Sequence, residues 1–338
     1  MEHTSDKISF DGAVATINRL CEALQQVIRG RDDTIRLVVT ALVADGHVLL
    51  EDYPGSGKTT LTKALGRLIE DNRPDRASSP ILPFRRIQFT PDMLPGDVLG
   101  VNIFEPKTGS FRFLHGPIFA HVVLADELNR TGPKVQAAFL ECMAEKQVTI
   151  DNVTHRLDDL FFVVGTQNPL DIAGTYPLPL VQLDRFLFKI PMSYVDRATE
   201  INILENHRSI VAAAESLPPA CSRGDVLKAR AAVANVHLSD ELRAAVVEIV
   251  QATRDNPALQ FGASTRAALM LQQGIKAWAL VSGREFATED DLRFIAPFVL
   301  LHRLRFIGGG SGEEALQEIT LPAMERLVLA TSGARRTA

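Results

Sequence analysis

The chain has 338 residues, 46% of them hydrophobic, and a formal net charge of -5. Its length is too great for one ordinary small domain and makes two domains the natural expectation. The acidic balance argues against sequence-blind nucleic-acid binding, which needs a basic footprint, and three widely spaced cysteines, Cys21, Cys142 and Cys221, argue against a disulfide framework or zinc site. From the N-terminus, Met1 to Lys7 lacks the basic start and apolar core of a secretion signal, and no stretch reaches the ~18 apolar residues of a membrane span. A soluble, cytoplasmic protein is expected. Helical spacing follows from Asp11 to Ile28, with Val14, Ile17, Leu20, Cys21, Leu24, Val27 and Ile28 on one stripe. Gly30 ends that helix, and Asp32 or Asp33 caps a second that runs through Leu37 to Ala44.

The apolar stretch His47-Val48-Leu49-Leu50 then leads into Asp52-Tyr53-Pro54-Gly55-Ser56-Gly57-Lys58-Thr59, and a helical pattern resumes at Leu61. Strand, glycine-rich turn, Lys-Thr and helix form the layout of a nucleotide-phosphate cradle. Pro54, Gly55, Ser56, Gly57, Lys58, Thr59 and Thr60 would surround the phosphates. Small residues let backbone N–H groups close on phosphate oxygens at a helix N-terminus. Lys58 would reach the outer phosphates, and the Thr59 hydroxyl would complete a Mg²⁺ shell. The strict pattern has glycine where Asp52 stands.

A Pro- and Ser-rich connection from Arg73 to Pro83 leads to a short strand at Arg86 to Phe89. Thr90 to Gly116 reads as irregular and, at that length, as functional. A buried strand, His121 to Ala125, ends in Asp126-Glu127, and a helix follows from Pro133 to about Glu145. Gln147 to Leu157 alternates around Asp151-Asn152, the pattern of a hairpin. Phe161 to Thr166 is a third buried strand, ending at Asn168-Pro169, and Leu187 to Ile190 a fourth. Strands alternating with helices imply a parallel sheet covered on both faces. Past about Arg197 helical patterns take over at Asp240 to Thr253, Arg266 to Val281 and Glu289 to Arg303. Gly308 to Gly312 reads as a flexible connection before a last helix, Glu313 to Ala330. These patterns place an α/β domain over 1–198 and a smaller helical domain over 199–338.

Asp126 and Glu127 stand at a strand's carboxyl end, the edge where open α/β sheets bind ligands. Asp126 suits a Mg²⁺ shell and Glu127 the attacking water; the same pair could instead cap the following helix. Asn168 could hold the water or the γ-phosphate, or form an Asx turn into Pro169. Arg185, in Leu183-Asp184-Arg185-Phe186, is either a surface ion-pair partner or an arginine finger for an adjacent subunit. Arg266 opens a helix next to the capping residues Ser264 and Thr265, and could also reach phosphates. Spacing does not choose between these roles.

In this order, the phosphate loop, Asp-Glu, Asn, Leu-Asp-Arg-Phe and the arginine of a helical second domain resemble the AAA+ ATPases. Longer strings resemble the MoxR family: Gly46 to Thr59, Gln88 to Pro95, Gly116 to Phe119, Ala125 to Thr131, Thr166 to Pro169, Gly174 to Pro179, Phe261 to Arg266 and Gly283 to Asp291. The resemblance covers nearly the whole chain. It implies a parallel P-loop AAA+ sheet flanked by helices, with a C-terminal all-α lid. It also implies Asn168 as first sensor, Arg185 as a finger acting in trans with Arg130 as second candidate, and Arg266 as second sensor. An insert at about 90–116 and a hairpin at about 147–157 would project toward the pore or partner face of a ring. ATP and Mg²⁺ are the implied cofactors. The implied assembly is a ring, a hexamer, working with a von Willebrand factor A domain protein on a client enzyme complex, as in chaperone-like metal or cofactor insertion. A nucleotide-gated scaffold with slow hydrolysis and a DNA-directed motor are the alternatives. Asp52 also occurs in the family at that position, whereas Thr265 stands where proline is frequent.

Overall fold

In the computed structural model, which describes residues 9–52, 55–168, 174–307 and 311–336, the chain opens with amphipathic helices α1 (Phe10–Gln25) and α2 (Asp32–Val43). The Ser9 hydroxyl caps α1 by accepting from Gly12 N at 3.2 Å. Strand β1 (Val48–Asp52) precedes α3 (Lys58–Leu68), with the short β2 (Ile69–Glu70) at its end. Next come β3 (Leu82–Gln88), α4 (Pro95–Leu99), β4 (Gly100–Glu105), β5 (Ser110–His115) and β6 (Ala120–Asp126). Helix α5 (Pro133–Glu145), the hairpin β7 (Gln147–Ile150) and β8 (Val153–Arg156), and β9 (Phe162–Gln167) follow. The α/β part closes with α6 (Leu180–Leu183) and β10 (Phe188–Met192). Beyond it lie α7 (Arg197–Ser216), β11 (Cys221–Ser222), α8 (Arg223–Val233) and α9 (Asp240–Arg254). The chain then runs through β12 (Leu259–Phe261), α10 (Thr265–Val281), α11 (Glu289–Leu300), β13 (Arg305–Phe306) and α12 (Gly312–Arg336).

The five main strands form one parallel sheet in the order β10-β1-β9-β6-β3. Its inner strands β1, β9 and β6 carry buried apolar runs, at 48–50, 162–164 and 122–125, because both faces are covered there. In β6, Val122 and Leu124 join an apolar cluster with Val48, Leu50, Phe162 and Val164 and with residues of α1, α2 and α3. Val123 and Ala125 point the other way, into a cluster with Leu49, Val163 and Phe139 of α5. The first cluster continues into α8, α9, α10, α11 and α12. Helix α8 packs on α1 and α2, and β11 pairs in parallel with β2. The C-terminal helices therefore share a core with one face of the sheet.

The stretch 90–116 carries more order than its Gly and Pro content suggests: a short helix and the antiparallel pair β4 and β5. Its glycines act as a clasp at the hairpin base. A Cβ at Gly116 would lie 2.3 Å from the Val98 carbonyl oxygen, and Gly100 turns at φ 108°. The second hairpin has the two-residue turn expected of Asp151-Asn152, at φ 48° and 65°. Asn102 Nδ2 donates to Asp151 Oδ2 at 2.7 Å, and Phe113 stacks on His155 with ring centroids 3.9 Å apart, so the two hairpins are joined. Two strand pairs were not legible among the C-terminal helices: β11 with β2, and the antiparallel β12 with β13. At two or three residues each, they are too short for a period-2 signal. Gly308 to Gly310 of the expected connection lie outside the described residues.

None of the described helices is long and apolar enough to cross a membrane. The three cysteines are unpaired, and burial pushes the thiols of Cys142 and Cys221 up to about 12 and that of Cys21 to about 11. At neutral pH they are small protonated side chains.

Candidate functional site

Strand β1 delivers the chain to the glycine-rich turn at the carboxyl edge of the sheet. Pro54 lies outside the described residues. Gly55 and Gly57 take φ 87° and 90°, a region that favours glycine. Crowding is not the reason: a Cβ at Gly55 would meet nothing within 4 Å, and at Gly57 only Ile28 Cδ1 at 3.9 Å. Gly57 is the N-cap of α3, so the first helical residues, Lys58, Thr59 and Thr60, present backbone N–H groups and the positive helix end to the cleft. The cleft, about 750 Å³, is lined by Gly55, Ser56, Gly57, Thr59 and Thr60 on one side and by Ile28 and the α7 residues Ile203 and Leu204 on the other.

Asp126 ends β6 at the same edge and is 2% exposed. Lys58 Nζ lies 3.2 Å from its Oδ1, Thr166 Oγ1 donates to Oδ1 at 2.7 Å, and Arg86 Nη2 donates to Oδ2 at 2.6 Å. Burial opposes the charge. Hydrogen bonds from Thr166 and Arg86, with the Lys58 ammonium, still hold the carboxyl below the usual carboxylate range. Glu127 takes a left-handed backbone, φ 57° and ψ 48°, which costs roughly 1–3 kcal/mol outside glycine. Three contacts compensate. Thr166 Oγ1 accepts from Glu127 N at 2.9 Å. Gln88 Nε2 donates to Glu127 Oε2 at 2.7 Å, and Arg130 Nε lies 3.0 Å from the same oxygen. Beyond the turn, Gln136 Nε2 donates to the Leu128, Thr131 and Tyr176 carbonyl oxygens at 3.3, 3.1 and 3.0 Å. Asn168 immediately follows β9, which lies between β1 and β6, so it shares the edge of Gly55, Lys58 and Asp126.

The structure brings Lys58, Thr59, Asp126, Glu127 and Asn168 to one edge, and it does not bring Arg185 or Arg266 there. Strand β10 is parallel to β1, with Phe188 beside Val48, so Arg185 precedes it at the amino edge. At ~3.3 Å per residue, the five-residue strand puts roughly 16 Å between the two edges. Arg185 Nη1 donates to the Leu140 carbonyl of α5. Arg266 follows the capping Ser264 and lies near Asp184, with Nε 3.8 Å from Oδ2. A reach from Arg266 to the phosphate loop of its own chain does not fit this placement. Arg130 is engaged with its own Glu127.

Three residues of the site escaped the sequence reading. Thr166 bonds both Asp126 and Glu127, and Arg86 and Gln88 of β3 hold the same two carboxylates. The last two are joined by an Arg86 Nη2 to Gln88 Oε1 hydrogen bond of 2.6 Å. Period 2 puts Arg86 and Gln88 on one face of their strand, which was a usable signal. That β3 lies beside β6, with Gln88 opposite Asp126, is a matter of sheet order.

The donor set fits a Mg²⁺-nucleotide. An open cradle of backbone N–H groups and Lys58 suits phosphate oxygens, while a hydroxyl and one buried carboxylate suit a hard cation whose other ligands come from phosphate and water. Among the described residues there is no cluster of three or more His, Cys, Asp or Glu side chains that would hold a metal alone.

Comparison with known proteins bears on the fold and the family. Residues 47–188 match the model of the ATPase family associated with various cellular activities (AAA), and residues 251–320 match that of the AAA lid domain. The chain is 43% identical over 291 residues to the uncharacterized protein YeaC of Bacillus subtilis, covering 85% of this chain and 86% of that one. It is 35% identical over 321 residues to the chaperone MoxR1 of Mycobacterium tuberculosis, covering 91% and 80%. The crystal structure of a candidate ATPase from Cytophaga hutchinsonii superposes with a TM-score of 0.81 at 34% identity, covering 91% of this chain and 95% of that one.

Proposed function

Since the chain belongs to the MoxR family of AAA+ ATPases, we propose that it hydrolyses ATP with Mg²⁺ in a ring of identical subunits, a hexamer, and uses the cycle to remodel a client protein. The observation that carries this reading is the division of the charged groups between the two edges of one sheet. Phosphate loop, acidic pair and Asn168 stand at the carboxyl edge, and Arg185 and Arg266 at the amino edge, too far to meet in one chain. A head-to-tail arrangement of copies would supply what each lacks, and such heterologous contacts form a ring where the rotation between copies closes.

On this reading Lys58 would turn from Asp126 to the outer phosphates, and Thr59 and Asp126 would hold the metal. Mg²⁺ held by these residues would supply charge neutralisation for the phosphates. Glu127 orients and polarises the water, its carboxylate released from Gln88 and Arg130, while Asn168 donates to the water or the γ-phosphate. Arg185 and Arg266 of the neighbouring copy meet the charge that develops on the transferred phosphoryl group. The joined hairpins, β4 with β5 and β7 with β8, offer a contact surface for the client. Phe104 and Phe111 are 51% and 71% exposed there. A cytoplasmic setting and a von Willebrand factor A domain partner follow from the family resemblance, and the name of the Mycobacterium relative supports a chaperone-like role.

The test is ATPase rate against protein concentration, with mass measured by light scattering in ATP and Mg²⁺. Turnover per chain is expected to rise as the ring assembles. Equal turnover by a dilute monomer sinks the proposal.

A further inference from the structure

Arg303, in the turn after α11, is 6% exposed and lies 119 residues from its main partner. Its Nε donates to Asp184 Oδ1 at 2.7 Å. Its Nη2 donates to the carbonyl oxygens of Phe186 at 2.6 Å and Asp184 at 3.2 Å, and its Nη1 to that of Leu187 at 3.4 Å. Nη1 also donates to the Val299 carbonyl in the last turn of α11. One side chain of the C-terminal helical region therefore grips the backbone on both sides of Arg185. We propose that Arg303 is a positioning residue for Arg185, setting the backbone from which that arginine reaches a neighbouring copy's nucleotide. The inference rests on the trans reading given above.

Placement and chemistry both support it. Burying a guanidinium is costly unless its donors are satisfied, and here carbonyls of residues 184, 186 and 187 satisfy them. A planar fork with five donors can serve these acceptors together, and an ammonium cannot. Burial lowers the Arg303 pKa to about 10, with Asp184 opposing, so the cation persists at neutral pH. Asp184 also faces Arg266 of α10, Nε to Oδ2 3.8 Å, and His302 Nε2 lies 3.1 Å from the Phe186 carbonyl oxygen. A shift of α10 or α11 against the sheet is thereby transmitted to the residues flanking Arg185. The Arg185 side chain, resting on the Leu140 carbonyl in the single chain, then needs only side-chain rotation to leave its own α5.

The test uses the full chain and mixed assemblies. Arg303→Lys is expected to lower the kcat of the assembled protein by about 10- to 100-fold, the size of a misplacement of about 1 Å. The Kd for a fluorescent ATP analogue should stay within twofold, since that site lies at the opposite edge. Mixing Arg303→Lys with Glu127→Gln should restore activity, because the intact site of the first then receives a well-placed Arg185 from the second. A role confined to folding of the Arg303→Lys chain gives no such rescue. Asp184→Asn, which keeps shape and removes the shared charge, serves if Arg303→Lys does not fold. Arg185→Ala mixed with Glu127→Gln is the control. If the control recovers activity and the Arg303→Lys mixture does not, the inference is overturned and the trans reading stands. If neither recovers, both fail.

Discussion

The carboxyl and amino edges of the sheet hold charge in opposite ways. At the carboxyl edge the carboxylates Asp126 and Glu127 are clasped by cations and donors of their own chain, Lys58, Arg86, Gln88 and Arg130. At the amino edge the arginines dominate: Arg303 is buried against Asp184, Arg185 rests on a carbonyl, and Arg266 is half exposed near the same Asp184. The donor set of the first edge suits an anionic ligand and a cation. At the second, Arg303 and Arg266 share Asp184, and positive charge is in excess. On the ring proposed above, complementary edges of one sheet would make each subunit depend on its neighbour.

The sharpest way to break this comparison is to remove one group from each edge. Arg185→Ala and Glu127→Gln are each expected to cost about 10³ in kcat of the assembled protein, with ATP still bound by equilibrium fluorescence titration. Only Lys58→Ala should lose the binding itself. Recovery of activity in a mixture of the first two places the groups in different subunits, and a mixture as dead as its parts places them in one.

Acid should weaken the amino edge through its buried histidines. His47 Nδ1 accepts from Val163 N at 3.1 Å, so the ring must be neutral, and burial lowers its pKa from 6.5 to about 4. The unfolded chain takes up the proton first. Stability from this group is therefore full above about pH 6.5 and falls as pH drops toward about 4, by at most ~3 kcal/mol. His302, buried beside Arg303 and shifted well below its ordinary value, slopes the same way. Urea unfolding at a series of pH values should show this slope, flattened in His47→Asn.

Thr166→Val at the carboxyl edge removes the hydroxyl that serves both Asp126 and Glu127. About 1–2 kcal/mol is expected, read as a roughly tenfold higher Mg²⁺ requirement with an unchanged oligomer. The smallest effect belongs to neither edge. Phe111→Ser on the exposed hairpin should alter ATPase in the absence of a client by less than about twofold, since its ring packs only against Phe104 among the described aromatic contacts. A large loss there would tie the hairpin to the ring contact rather than to a client.

Much of this molecule was legible in its sequence. Uninterrupted apolar runs such as His121 to Ala125 announce strands buried on both faces, and Gly55-Ser56-Gly57-Lys58-Thr59 announces a helix start that faces phosphate. Asp151-Asn152 announces a two-residue turn. These signals are local: they depend on backbone conformation and on spacing within a window of a few residues. They fixed the fold class and, with the longer strings, the family. Arg86, Gln88, Thr166 and Arg303 looked ordinary, because their partners lie 39 to 119 residues away. Only strand order put β3 and β9 beside β6, and only the packing of α11 carried Arg303 onto Asp184. The same packing decided that Arg266 stands at the edge away from its own phosphate loop. Side-chain chemistry and local geometry are written in the chain, whereas register, sheet order and helix docking emerge when distant apolar surfaces are buried together.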